Sequence, residues 1–221
     1  MNVQREVIQG DGYGIPSVWL KPLNPVGASV IVHGYGGSKE EQLGLAWRVA
    51  EAGLVVCCLD LRGHGENVLP LDRDVLLDVD LVVNCCRRFG KVVSIGHSLG
   101  GRLALLSSAD FSIAISPALN QVYGEQTQNV LSNLRSYRVR EEYPMAVFDV
   151  LRELPSYQYD ENRPTSIIFG SRDVPEIVKS CTELKALGVP VKQIEEALHS
   201  DTYLLQATFD EVGKSIDEWF D

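Results

Sequence analysis

Residues 96–100 read Gly96-His97-Ser98-Leu99-Gly100, between the apolar run Lys91-Val92-Val93-Ser94-Ile95 and a helix-compatible stretch from Gly101 to Leu106. A glycine-x-serine-x-glycine pattern says little by itself. With a strand before it and a helix after it, the pattern describes a sharp turn that strains the serine backbone and lifts the hydroxyl above the sheet edge. Residues two before and two after the serine must be small, because the strand and helix backbones nearly touch there. That geometry needs a buried strand feeding directly into a helix, which points the rest of the chain towards strands alternating with helices.

A serine hydroxyl is a poor nucleophile at neutral pH. It needs a histidine as base, and an acid to fix the imidazole tautomer and stabilise the imidazolium. On this kind of turn the chain order is serine, then Asp or Glu, then histidine. Of the four histidines, His33, His64, His97 and His199, only His199 follows Ser98. It lies just past a strand-like run at 189–194, and the loop at a strand's carboxyl end is where a base would hang over the serine. Asp110, Asp149, Asp160 and Asp173 lie between Ser98 and His199. Asp173 is the candidate acid, because it follows the apolar run Ser166-Ile167-Ile168-Phe169 and so also sits at a strand's carboxyl end. Asp110 precedes a strand, and Asp149 and Asp160 fall in a segment outside the sheet. A plain salt bridge of Asp173 to Arg172 is the structural alternative.

With these residues in hand, the chain resembles the α/β-hydrolase superfamily over most of its length, from Ile31 to about His199. The resemblance includes Val32-His33-Gly34-Tyr35-Gly36-Gly37 after a strand, and Asp60-Leu61-Arg62-Gly63-His64-Gly65 after the next. It implies an oxyanion hole made by the backbone N–H groups of Tyr35 and Leu99, with Ser98, Asp173 and His199 as catalytic residues. It also implies a structural role for His64 and Arg62, and packed, hydrogen-bonded roles for His33 and His97. Asn67 departs from the pattern, since many relatives carry a serine near that position.

The element pattern fits an α/β fold with a mostly parallel central sheet of about eight strands and helices on both faces. Strands are expected at 3–8, 17–21, 28–32, 54–59, 91–95, 112–115, 165–169 and 189–194. Helices are expected at 38–52 with Ser38 as N-cap, at 75–89, from the serine turn to about 108, at 176–187 and at 202–220. The whole of 1–221 reads as one domain, with a small helical cap inserted at about 118–163. That insert holds helix-compatible stretches at 121–138 and 144–154, and its Met145, Val147, Phe148 and Leu151 either line a pocket or pack the cap onto the body.

Composition narrows the partners. A formal net charge of −10 argues against nucleic-acid backbones and anionic membranes. No stretch is apolar and long enough to span a bilayer. The N-terminus lacks the apolar core of a signal peptide, and five cysteines in no disulfide-like spacing suit small buried thiols in a reducing cytoplasm. No metal-ligand spacing stands out, and neither a metal nor an organic cofactor is expected. The expectation is a serine hydrolase that cleaves small to medium soluble carboxylic esters through an acyl-enzyme. A thioesterase, lactonase, C–C bond hydrolase or peptidase with the same triad remains open, as does a non-catalytic binding protein on this fold.

Overall fold

A computed structural model describes residues 1–220. Eight strands form one sheet: β1 (Asn2–Gln9), β2 (Gly14–Lys21), β3 (Gly27–Val32), β4 (Leu54–Leu59), β5 (Val92–His97), β6 (Phe111–Ile115), β7 (Thr165–Arg172) and β8 (Val191–Leu198). Their spatial order is β1-β2-β4-β3-β5-β6-β7-β8. β2 is antiparallel to both its neighbours, and every other pairing is parallel. From β3 the chain turns outward to β4 and then returns past β3 to β5. Loops leaving β3 and β5 therefore diverge, and the crevice outside their carboxyl ends is where a doubly wound sheet accepts a ligand.

The helices are α1 (Leu43–Glu51), α2 (Val75–Cys86), α3 (Leu99–Leu106), α4 (Glu125–Leu134), α5 (Val147–Glu153), α6 (Pro175–Ala186) and α7 (Gln206–Phe220). β4 shows why both faces need them. All six of its residues are buried, with Val55 and Cys57 packed towards Val79 and Val83 of α2, and Val56 and Cys58 packed towards Val49 of α1 and Val212 of α7. Period-2 alternation thus divides one apolar run between two cores. α3 and α6 share the α2 side, where Ile177 and Cys181 meet Ile167 and Phe169. The C-terminal Trp219 and Phe220 rings pack on Phe111, with centroids 5.3 and 5.2 Å away.

Several boundaries differ from the sequence reading, each for a local reason. Ser38 does not cap a helix with its side chain; residues 39–42 form a 3-10 turn before α1 begins. The helix expected through 89 gives way at Cys86 to a 3-10 turn closed by Gly90 at φ 112°. β8 starts at Val191, because Pro190 has no N–H to donate and only its carbonyl engages, taking the Ile167 N–H at 2.9 Å. It then runs past Ile194 to Leu198 through an irregularity where Glu196 adopts φ 58°. α7 begins four residues late, since 202–204 form a 3-10 turn that buries Tyr203. The insert helices are shorter than their pattern, and Met145 at φ 67° breaks the second stretch before α5.

Candidate active site

Ser98 occupies the single residue between β5 and α3, with φ 58° and ψ −117°. Close backbone approach dictates its glycine neighbours. A Cβ on Gly96 would lie 2.0 Å from the Gly100 carbonyl oxygen, and one on Gly100 would lie 2.2 Å from that of Val32. The Ser98 N–H donates to the Ile115 carbonyl at 2.9 Å, so β6 braces the turn.

His199 follows β8 and reaches back across the sheet edge. Its Nε2 lies 3.0 Å from Ser98 Oγ and its Nδ1 lies 2.8 Å from Asp173 Oδ1. Asp173 leaves β7 on a turn so short that α6 starts two residues later. That turn aims the Val174 N–H at Asp173 Oδ1, 2.7 Å away, while Ser116 Oγ donates to Oδ2. Burial pushes the Asp173 carboxyl up, but the hydrogen bond and charge of His199, the Ser116 hydroxyl and the Val174 N–H outweigh it and hold the carboxyl below its usual range. Arg172 turns away from Asp173 and meets Glu196 at 3.4 Å. A hydroxyl on an imidazole whose far nitrogen is held by a carboxylate can lose its proton as it attacks an electrophile.

Two contributors to this arrangement escaped the sequence reading. Ser116 was legible only as the end of a strand before Pro117; its φ of 48° turns the hydroxyl onto Asp173. His97, expected to be scaffold, donates Nε2–H to the His199 carbonyl at 2.8 Å and packs its ring 4.8 Å from His199 and 4.6 Å from Tyr203. Burial, then the neighbouring His199, lower its pKa to about 3, so it stays neutral.

The loop after β3 turns at Gly34–Gly37, closed by the Gly37 N–H on the Gly34 carbonyl at 3.0 Å, with Gly36 at φ 69°. A central N–H of such a turn, here that of Tyr35, takes no part in its closing bond. The Leu99 N–H opens α3 and has no intrahelical acceptor. His33 is wholly buried: Nδ1–H donates to the Gly34 carbonyl at 2.8 Å and Nε2 accepts the Leu61 N–H at 3.1 Å, which fixes a neutral tautomer. His64 is equally buried beneath Tyr35, with Nδ1–H on the Arg62 carbonyl at 2.9 Å, and does not reach the cavity wall. Arg62 makes a two-pronged ion pair with Asp78, both contacts at 2.8 Å. Asn67 is buried too, its amide on the Asp60 carbonyl at 3.1 Å.

A cavity of about 510 Å³ opens on Ser98. The segment 118–163 supplies much of its wall, including Leu131 of α4 and Val147, Phe148 and Leu151 of α5. Val147 and Leu151 also belong to the core, so the apolar stripe of α5 both packs and lines; Met145 instead sits against the Tyr35 hydroxyl. This segment is tied down at several points. Arg102 of α3 is fully buried and faces no carboxylate. Its Nη1 donates to the Ala118 and Asn120 carbonyls, both at 3.3 Å, and its Nη2 to those of Leu154 and Pro155, at 2.9 and 3.1 Å. One guanidinium therefore ties the start of the segment to the residues just past α5. Glu176 of α6 takes the Gly124 N–H at 2.7 Å, and Glu141 takes the Tyr35 hydroxyl. Among the described residues, no three His, Cys, Asp or Glu side chains converge as metal ligands.

Comparison with known proteins assigns the chain to a family. The Alpha/beta hydrolase family profile covers residues 30–205. A monoacylglycerol lipase of Mycolicibacterium smegmatis is 29% identical over 103 residues, which span 42% of this chain and 36% of the lipase. The chain thus matches only about a third of that relative's length. Among solved structures, an esterase of Pyrobaculum calidifontis has a TM-score of 0.73 at 21% identity, covering 98% of this chain and 85% of that one. Est1E of Butyrivibrio proteoclasticus, solved with ferulic acid, has a TM-score of 0.70 at 19% identity, covering 97% of each chain. At these identities the likeness is one of fold. The family profile runs from β3 to the turn past His199, over both loops at the switch point and the carboxyl ends of β7 and β8, and the chain belongs to the alpha/beta hydrolase family.

Proposed function

We propose that this protein is a serine hydrolase that cleaves carboxylic esters of small to medium size through an acyl-enzyme. One observation carries the reading: Ser98 Oγ, on a strained turn at the base of an apolar-walled cavity, lies 3.0 Å from the His199 nitrogen opposite the one bonded to Asp173. Asp173 holds the His199 proton on Nδ1 and leaves Nε2 free to accept. His199 takes the Ser98 proton as Oγ adds to the ester carbonyl. The oxyanion that forms is bound by the Tyr35 and Leu99 N–H groups, each such donor being worth about 10²–10³ in rate. His199 then gives its proton to the departing alcohol. Water, deprotonated at the same nitrogen, adds to the acyl-enzyme, and the carboxylic acid leaves as Ser98 Oγ regains its proton.

The segment 118–163 acts as a cap that sets substrate size, since it forms the cavity wall facing Ser98. Names of proteins with similar sequence or fold, a lipase and an esterase, favour an ester as substrate. Five unpaired cysteines, four of them buried, suit a reducing compartment.

Intact-mass analysis after fluorophosphonate treatment tests the reading. One adduct that disappears in Ser98→Ala is expected. Folded protein without an adduct, or an adduct that survives the substitution, overturns it.

A further inference from the structure

The cavity wall carries six titratable side chains outside the tyrosines: Glu41, His97, Arg135, Arg172, Asp173 and His199. Most are answered within the protein. Asp173 and His199 bond each other, and His97 bonds the His199 carbonyl. Glu41 holds Arg138 at 2.9 Å, and Arg172 meets Glu196 at 3.4 Å in solvent. Arg135 differs. Among the described residues no carboxylate lies within ion-pair distance of its guanidinium, and no carbonyl accepts from it.

Its place is well defined. Arg135 ends α4 and lies across the turn that carries Tyr35: a Cβ on Gly36 would fall 2.8 Å from Arg135 Cβ and 3.1 Å from its Cδ. The charge faces inward: after burial and His199 it adds to the lowering of the His97 pKa, and His97 is the ring that packs between His199 and Tyr203. The neighbouring wall, from Val130, Leu131, Phe148 and Leu151, is apolar. A half-buried, unanswered guanidinium beside an apolar wall costs stability, a cost removed when an anion arrives to pair with it. The chain as a whole carries −10 and repels anions at a distance, so this local cation is not part of a general basic surface.

Resting on the ester-hydrolase reading, we infer that Arg135 is a specificity-determining residue that binds an anionic group, a carboxylate or phosphate, on an ester whose remaining bulk is apolar. The anion sits over the Gly34–Gly37 turn while the apolar part lies along α4 and α5.

Matched ester pairs test this. Mono(para-nitrophenyl) glutarate against para-nitrophenyl pentanoate places the charge on the acyl side; para-butanoyloxybenzoate against phenyl butanoate places it on the leaving side; a para-butanoyloxyphenyl phosphate arm separates phosphate from carboxylate. In at least one arm kcat/KM favours the anion. Arg135→Gln lowers the anionic-to-neutral ratio by about tenfold or more, as loss of a charged hydrogen bond would. Arg135→Lys restores part of it, and Arg48→Gln, an exposed cation paired with Glu51 away from the cavity wall, leaves the ratio unchanged. An unchanged ratio in Arg135→Gln in every arm overturns the inference. If no ester is turned over and no fluorophosphonate adduct forms, the ester-hydrolase reading has failed. Arg135 is then judged by calorimetric titration of Ser98→Ala with the same pairs. Tighter anion binding that disappears in Ser98→Ala/Arg135→Gln upholds its role, and equal binding of both members overturns it.

Discussion

Tyr35 donates its hydroxyl to Glu141 Oε1 at 2.6 Å, across 106 positions of chain. The same carboxylate oxygen accepts the Met145 N–H at 3.1 Å, so one half-buried acid joins the turn over Ser98 to the turn that launches α5. Burial, reinforced by Glu141, pushes the Tyr35 phenol far above its ordinary range, and it remains a donor at any working pH. Tyr35→Phe removes the hydroxyl and leaves the backbone N–H in place. It is expected to destabilise the protein by about 1–3 kcal/mol in urea unfolding, as an acid stripped of its donor would. The kcat should fall less than about tenfold, because the proposed contact with the reacting oxygen comes from the main chain. A collapse of kcat as deep as that of Ser98→Ala would put the hydroxyl itself on the reacting atoms.

Asp173→Asn should lower kcat by about 10⁴, the effect of presenting the wrong imidazole tautomer to a serine. Ser116→Ala removes one of the donors that hold the Asp173 carboxyl down, so its titration should move up. Carbon-13 NMR titration of the Asp173 carboxyl should show it titrating at higher pH in Ser116→Ala than in wild type. A titration identical to wild type would show that Ser116 only braces the loop.

Acid should unfold this protein early. His33, His64 and His97 are buried and neutral, with pKa values lowered from 6.5 to about 4, about 3 and about 3. The unfolded chain therefore binds protons below pH 6.5 that the native chain refuses. Stability is full above that pH and falls as pH drops towards 4 and 3, by up to about 1.4 kcal/mol per pH unit for each histidine. Urea midpoints measured from about pH 7.5 down to about pH 5 check the slope. His64→Phe, which keeps a ring in the same pocket, should flatten it; stability that rises on acidification would contradict the account.

Arg102→Met leaves four main-chain carbonyls without their donor. A loss of roughly 3 kcal/mol is expected, with faster protease cleavage inside 118–155 than elsewhere. If cleavage instead spreads evenly over the chain, the guanidinium supports the whole domain rather than the insert.

How much of this was legible depended on the range of each interaction. The turn at Ser98 was readable because its demands fall on Gly96 and Gly100, two residues away. His199 was found by elimination and Asp173 by its place after an apolar run, and the structure brings both to Ser98. The hydroxyl of Ser116 and the ring of His97 were not readable as contributors, since they act across 57 and 102 positions, a separation that only the closed sheet removes. β8 was misplaced at both ends, because Pro190 and the irregularity at Glu196 are settled by pairing with β7 rather than by the strand's own residues. Nor did the sequence mark Arg135 or Arg102 out from the other cations; whether a cation meets a carboxylate, a carbonyl or nothing is decided by packing.

The φ of 58° at Ser98 carries an evolutionary consequence. A residue with a Cβ held there costs the fold on the order of 1–3 kcal/mol, and glycine would adopt the same angles freely. Selection for folding alone would therefore drift towards Ser98→Gly, a variant more robust than its parent and unable to form a covalent bond with anything. A serine held at this angle therefore exchanges robustness for the reactivity proposed for it, at one position.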